Sequence, residues 1–262
     1  MPPILEKEER RKHRDPEMLV WDRVVRVGHW LLAFAFATLY LEYKKFPLHP
    51  YAGYLVFLVL IARIIWGFIG SPAARFSSFS FTPGEMIRYM KSAFKGHAEY
   101  HFSHNPMGAA MVYALIALLL LNCGLGMLTY SASQELGPLG ALVPAAWEDN
   151  LTAVHRLLGH LSAILVVSHL AGVVWAARLH RENYVLAMLN GIRRIPRAVP
   201  IPDGALRLIK RGDGSGRVNR LYNWLNYRHP VLGTLLLMIV IGALAIPLID
   251  WLVQINKSLP SY

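Results

Sequence analysis

Apolar residues run in long blocks along this chain, and polar residues collect between them. A bilayer core about 30 Å thick takes roughly 20 helical residues to cross. Five blocks meet that length: Val24–Tyr43, Pro50–Ile69, Met107–Tyr130, Leu151–Leu179 and Val231–Leu252. The fourth is the longest, so it must tilt or protrude. Between the second and third, Thr82-Pro83-Gly84-Glu85 has the form of a helix start. Met86, Met90 and Phe94 continue an apolar face among Arg88, Lys91 and Lys95, which predicts a short interfacial helix. The first 23 residues are polar and basic and lack an early apolar region, so the first block reads as a retained helix rather than a cleaved signal peptide. From Ile195 to Arg217, prolines and glycines mix with basic residues, the composition of a linker beside anionic lipid. The chain divides on this reading into an arm (1–23), a four-helix core (24–180), a basic linker (181–230), and a fifth helix with a short outer tail (231–262).

Composition agrees: 55% of the 262 residues are hydrophobic and 16% charged, too apolar for a soluble domain and suited to an all-α integral membrane protein. The net charge of +11 would fit a nucleic-acid binder only if it gathered on one surface. Instead it follows the loops. Lys7, Arg10, Arg11, Lys12, Arg14, Arg23 and Arg26 lie in or beside the arm; Arg75, Arg88, Lys91 and Lys95 follow the second block; eleven more run from Arg178 to Arg228. The other side holds Lys44, Lys45 and Lys257. The positive-inside rule then puts the N-terminus in the cytoplasm and the C-terminus outside, and makes lipid rather than nucleic acid the partner. The single Cys123 excludes an internal disulfide, a C-x-x-C-H haem attachment and a thiolate cluster.

Chemistry enters with the histidines, since ionisable groups in a bilayer are costly and functional by default. At about 100° per residue, the fourteen steps from His155 to His169 return to within about 40° of the same face, about 21 Å further along the axis. Span direction puts His29 at the inner level and His49 at the outer level. Depth therefore pairs His49 with His155 and His29 with His169. Two facing neutral imidazoles at each level supply the axial ligands of a six-coordinate haem b, whose porphyrin provides the other four nitrogens. Gly28, Gly53, Gly159 and Gly172 lie one, three or four residues from these ligands, where small side chains admit a plate between helices. Arg63 and Arg26 at the inner level and Arg156 at the outer level are the candidate propionate partners. His160 points about 140° away from His155 and reads as a packing residue. His180 reads as an exit contact, and His97, His101 and His104 as solvated loop histidines rather than a metal cluster.

The motifs VWDRVVRVGHW, LHPYAGY, RIIWGFIG, HNPMGAAMV, VHRLLGH, SHLAGV and HRENYVLAMLNG, in this order across about Val20–Arg194, resemble the prokaryotic cytochrome b561 family, which is similar to the membrane cytochrome b subunits of nickel–iron hydrogenases. The resemblance implies a four-helix transmembrane bundle with two bis-histidine b haems, held by the residues at 29, 49, 155 and 169. It also implies electron transport in a respiratory chain of the bacterial cytoplasmic membrane, between quinone or quinol and a redox partner such as a c-type cytochrome or a periplasmic oxidoreductase subunit. The chain would then be an electron-transfer subunit of a quinone-linked oxidoreductase complex. The fifth helix and basic linker exceed the smallest members and motivate a rival reading, an anchor or assembly subunit whose haems are structural or absent. A proton or metal transporter is disfavoured by the scarcity of Asp and Glu within the spans.

Overall fold

A computed structural model describes residues 17–41, 48–133, 143–200, 206–207 and 229–258. Four helices in it are long and apolar enough to cross a membrane: α1 (Arg23–Leu41), α2 (Leu48–Ile69), α4 (Pro106–Ser133) and α5 (Glu148–His180). A short helix α3 (Pro83–Phe94) lies between α2 and α4. Helix α6 (Tyr184–Asn190) follows α5, and α7 (Pro230–Ser258) ends the described chain. Outward faces carry large apolar side chains more than half exposed, such as Phe34, Phe68, Ile164 and Val167. Such faces aggregate in water and are at rest in lipid.

The bundle is built by small residues meeting large ones. Ala35 of α1 and Val56 and Leu60 of α2 form a buried seam, against which Ile116, Leu119, Leu120 and Cys123 of α4 pack. α5 packs along α4, and α7 lies on α1 and α2, with Met238 buried against Val27 and Leu31. Within α7, Pro247 interrupts an otherwise apolar helix.

At the end of the bundle where α1 begins, the chain builds a folded cap. Strand β1 (Glu17–Leu19) lies between β2 (Ile192–Arg194) and β3 (Leu206–Arg207), antiparallel to both. Residues 184–194, on sequence the start of a linker, are thus helix and strand packed on the bundle; of the Pro- and Gly-rich stretch from Ile195 to Arg217, residues 201–205 and 208–217 lie outside the described residues. Met18, Val20, Trp21, Ala73, Ala74, Phe102, Ala187 and Ile195 bury one apolar cluster under the sheet. The turn from α6 into β2 needs glycine: Gly191 has φ +81°, and a Cβ there would collide with the Trp21 carbonyl oxygen.

Two polar clamps hold the cap. Asp22 caps α1 by accepting from the Val25 amide at 2.9 Å, and its other oxygen accepts from Trp66 Nε1 (2.9 Å) and Ser71 Oγ (2.5 Å) at the end of α2. Arg193 is counted with the loop cations in sequence, yet its side chain is only 2% exposed. It donates to both Glu182 carboxylate oxygens at 2.8 Å and to the carbonyls of Phe102 and Ser103 at 3.0 Å. One guanidinium therefore joins the end of α5, the approach to α4 and the sheet.

The interfacial helix starts where expected. Thr82 Oγ1 accepts from the Glu85 amide while the Glu85 carboxylate accepts from the Thr82 amide, a reciprocal cap. Its buried residues are Tyr89 and Ala93, with Met86 and Met90 beside them. Phe94 instead points outward, 74% exposed, against Trp175 at 5.1 Å. The reason is geometric, since eight helical steps from Met86 carry Phe94 about 80° off that face.

Removing one partner of a buried, bidentate ion pair costs about 3–5 kcal/mol because the other charge stays buried. Arg193→Met is therefore expected to lower the melting temperature of detergent-solubilised protein sharply, and Arg193→Met/Glu182→Gln to recover part of the loss. Equal melting of wild type and Arg193→Met would contradict the clamp.

Candidate functional site

Four histidines on three helices form two facing pairs. The His49 ring of α2 stands 6.0 Å from the His155 ring of α5, centroid to centroid, at an interplanar angle of 86°. The His29 ring of α1 stands 6.3 Å from the His169 ring, at 55°. Among the spanning helices α5 packs closely along α4, while its histidines meet α1 and α2 across a wider separation. Two in-line bonds of about 2 Å from imidazole nitrogens to a first-row metal, plus a ring radius at each end, come to about 6 Å. The pairs have the spacing of two rings on opposite sides of one ion.

The surroundings of each pair fit a flat tetrapyrrole held by neutral imidazoles. Nδ1 of His29 and of His49 is buried without a hydrogen-bond partner, a state that costs free energy unless the ring serves another purpose. A Cβ built at Gly53 or Gly172 meets nothing within 4 Å, whereas at Gly28 it meets Val59 Cγ1 at 3.5 Å and at Gly159 it meets Asn122 Nδ2 at 3.8 Å. His155 is held from behind, with Nδ1 3.1 Å from the main-chain carbonyl oxygen of Asn122.

The three arginines singled out in sequence occupy different places. Arg63 donates through Nη2 to the Ala74 carbonyl at 3.1 Å and lies over the Phe76 ring, and its Nη1 is buried without a partner. Arg26 is 1% exposed; its Nη1 donates to the Leu189 carbonyl at 2.7 Å and to Thr234 Oγ1 at 2.9 Å, tying α1 to α6 and α7. Arg156 is on the exposed side of α5. His160 is exposed as well, edge-on to Tyr40 at 6.4 Å.

Residues 20–191 match the model of the family described as prokaryotic cytochrome b561. The chain belongs to the prokaryotic cytochrome b561 family. Comparison with curated proteins and with solved structures gives no match. Membership implies b-type haem binding and electron transfer across a bacterial membrane, and the four apolar helices agree with it.

This cytochrome departs from its sequence reading at the loop before α4. Among the described residues no group of three or more His, Cys, Asp or Glu side chains is placed to hold a metal, yet His101 and His104 are not solvated either. His104 is wedged between the rings of Trp21 (4.8 Å) and Phe79 (4.6 Å). Burial, then the nearby charges of Arg63 and Arg193, push its pKa down to about 3. His101 lies against Phe81 and Tyr89 and is likewise lowered, chiefly by burial. Nothing in the local polarity of HAEYHFSHNP signals this, because the cap that covers it comes from residues at both ends of the core. Three other contributors went unnoticed in sequence. Asp22 had a readable signal, an acid just before an apolar run. Asn122 and Gly126, which touch His155 from α4, had none.

His104 makes stability pH-dependent in a defined sense. An unfolded histidine titrates near 6.5, so between about 6.5 and about 3 the unfolded chain binds the extra proton and stability falls as pH drops; above 6.5 the contribution is complete. His104→Phe, which can fill the slot between Trp21 and Phe79, is expected to lose less melting temperature than wild type between pH 7.5 and pH 5. The same loss in both proteins would show that His104 is charged in the fold.

Proposed function

We propose that this cytochrome carries electrons across the bacterial cytoplasmic membrane through two b haems, one held by His49 and His155 and the other by His29 and His169. The observation that carries the reading is the pair of level-matched imidazole couples at 6.0 and 6.3 Å. Bound haem supplies one-electron chemistry between ferric and ferrous iron. The chain would supply imidazole nitrogens from the four histidines, burial and spacing. His155 and His169 leave one face of α5 about 21 Å apart along its axis, which sets the two centres at different depths. Gly53 and Gly172 leave clearance beside the ligands, while Gly28 and Gly159 face Val59 and Asn122 of neighbouring helices. Arg63, with its unpaired buried Nη1, is the propionate partner at the His29/His169 level; Arg26, engaged with α6 and α7, supports that level from behind, and Arg156 remains the outer candidate.

The distribution of Lys and Arg supports a cytoplasmic cap end and a periplasmic far end. It also supports α7 as a fifth span, since a helix packed along α1 and α2 shares their environment. On this reading one end exchanges electrons with quinol or quinone dissolved in the lipid, and the other with a c-type cytochrome or a periplasmic oxidoreductase subunit, in a quinone-linked complex. Docking is then part of electron delivery rather than the chain's whole role.

Haemochrome assay and reduced-minus-oxidised spectra of the purified chain are expected to give two b haems. His49→Ala and His155→Ala should each remove one and the same haem, and His29→Ala and His169→Ala the other. Loss of the same haem in His155→Ala and His29→Ala would sink the pairing, and absence of b-type absorption in the wild type would sink the function. Arg63→Gln removes a cation beside the inner centre, which favours the more positive oxidised iron. The midpoint potential of the His29/His169 haem should fall in a redox titration while the other stays.

A further inference from the structure

Helix α4 carries no histidine, yet its backbone makes a direct polar contact with one of the four paired rings. Nδ1 of His155 is 3.1 Å from the carbonyl oxygen of Asn122. A carbonyl only accepts, so the proton of this pair sits on Nδ1 and the lone pair of the ring sits on Nε2. In a regular helix that carbonyl also faces the amide of residue 126, four positions on, and a carbonyl has lone pairs for both. Residue 126 is glycine. A Cβ built there would lie 2.8 Å from His155 Cε1, 3.3 Å from Nδ1 and 3.6 Å from Nε2. The ring thus lies in a notch whose floor is the bare backbone of Gly126 and whose edge is the Asn122 carbonyl. The next residue, Cys123, reaches the opposite ligand helix, its Sγ 3.7 Å from the Gly53 carbonyl oxygen, one turn after His49.

We propose that Asn122 and Gly126 of α4 form a positioning notch for His155, fixing its tautomer and ring orientation so that Nε2 faces His49. The inference rests on the reading of His155 as an axial ligand. A ligand imidazole that donates its other N–H to a carbonyl is a more basic, better oriented donor, and it favours the oxidised metal. Gly126 is required because any side chain enters the space of the ring. Gly124, two residues earlier on the same helix, is not: a Cβ there meets nothing within 4 Å. The two glycines pay the same helix-propensity cost, which makes one the control for the other.

The test uses the full-length protein purified with its haems, and compares Gly126→Ala, Gly126→Val, Gly124→Val and His155→Ala. Haem per chain, the low-spin electron paramagnetic resonance g values and the two midpoint potentials are read. Gly126→Ala is expected to keep both haems while altering the g values and raising the potential of the His49/His155 haem alone. Gly126→Val should lose that haem, taking the content from two to one, and Gly124→Val should match wild type. The unaltered signal of the His29/His169 haem reports that the bundle is folded. If His155→Ala removes one haem but both Gly126 variants keep wild-type g values and potentials, the notch is overturned and the ligand reading stands. If His155→Ala keeps both haems, the ligand reading itself fails and the notch with it. A Gly124→Val that disturbs the same haem as Gly126→Val would also overturn the notch, since general damage to α4 would then suffice.

Discussion

Everything in this bundle answers to one separation, the gap of about 6 Å between imidazole centroids on opposing helices. Helices that pack directly bring side chains into contact, and at that range two buried neutral rings would hydrogen-bond or stack. Here α5 stands apart from α1 and α2 while its histidines face theirs. Holding helices apart in lipid is harder than bringing them together, because there is no hydrophobic drive between spans and association rests on packing and hydrogen bonds. The separation has to be imposed by something else that fixes α5 on one side.

Two features impose it. Along its length, α5 is packed on α4, and α4 is in turn packed on the seam of α1 and α2. At the cap end, Arg193 grips Glu182 just beyond α5 and the carbonyls just before α4, while Asp22 binds the start of α1 to the end of α2. The helices are therefore joined in pairs and the pairs are joined at one end. A charge pair is a sensible fastener at the end of the bundle, beyond the spanning helices, and a poor one in the bilayer core, where a charge is costly to bury.

Sequence made the histidine pairing legible because two physical periodicities act together there. The apolar blocks give span and direction, and the helical repeat gives facing, so the residues at 29, 49, 155 and 169 are sorted by depth without coordinates, and the rings of His29 and His169 and of His49 and His155 stand opposite each other in that order. The cap was not legible. β1 and β2 are three residues each and are brought together from 17–19 and 192–194, too short for alternation to register and too distant for a turn signal. Arg193 looked like one more loop cation because charge counting cannot see burial. Arg26 reads in sequence as a propionate partner, and its contact with Thr234 depends on where α7 docks, which no local pattern encodes.

The most uniform helix is the one whose sequence says least and whose position matters most. α4 is apolar all round, with no stripe to mark a preferred face, and it lacks a histidine altogether. A helix of that kind is read as filler. In the structure it touches both walls of the His49/His155 pair, through the Asn122 carbonyl on His155 and Cys123 Sγ on the Gly53 carbonyl. Backbone carbonyls carry no sequence signature, and a glycine matters here for the side chain it lacks. Support of this sort escapes any search for chemical residue types, since its chemistry lies in atoms that every residue has. It becomes visible only when a neighbouring ring is found resting on it.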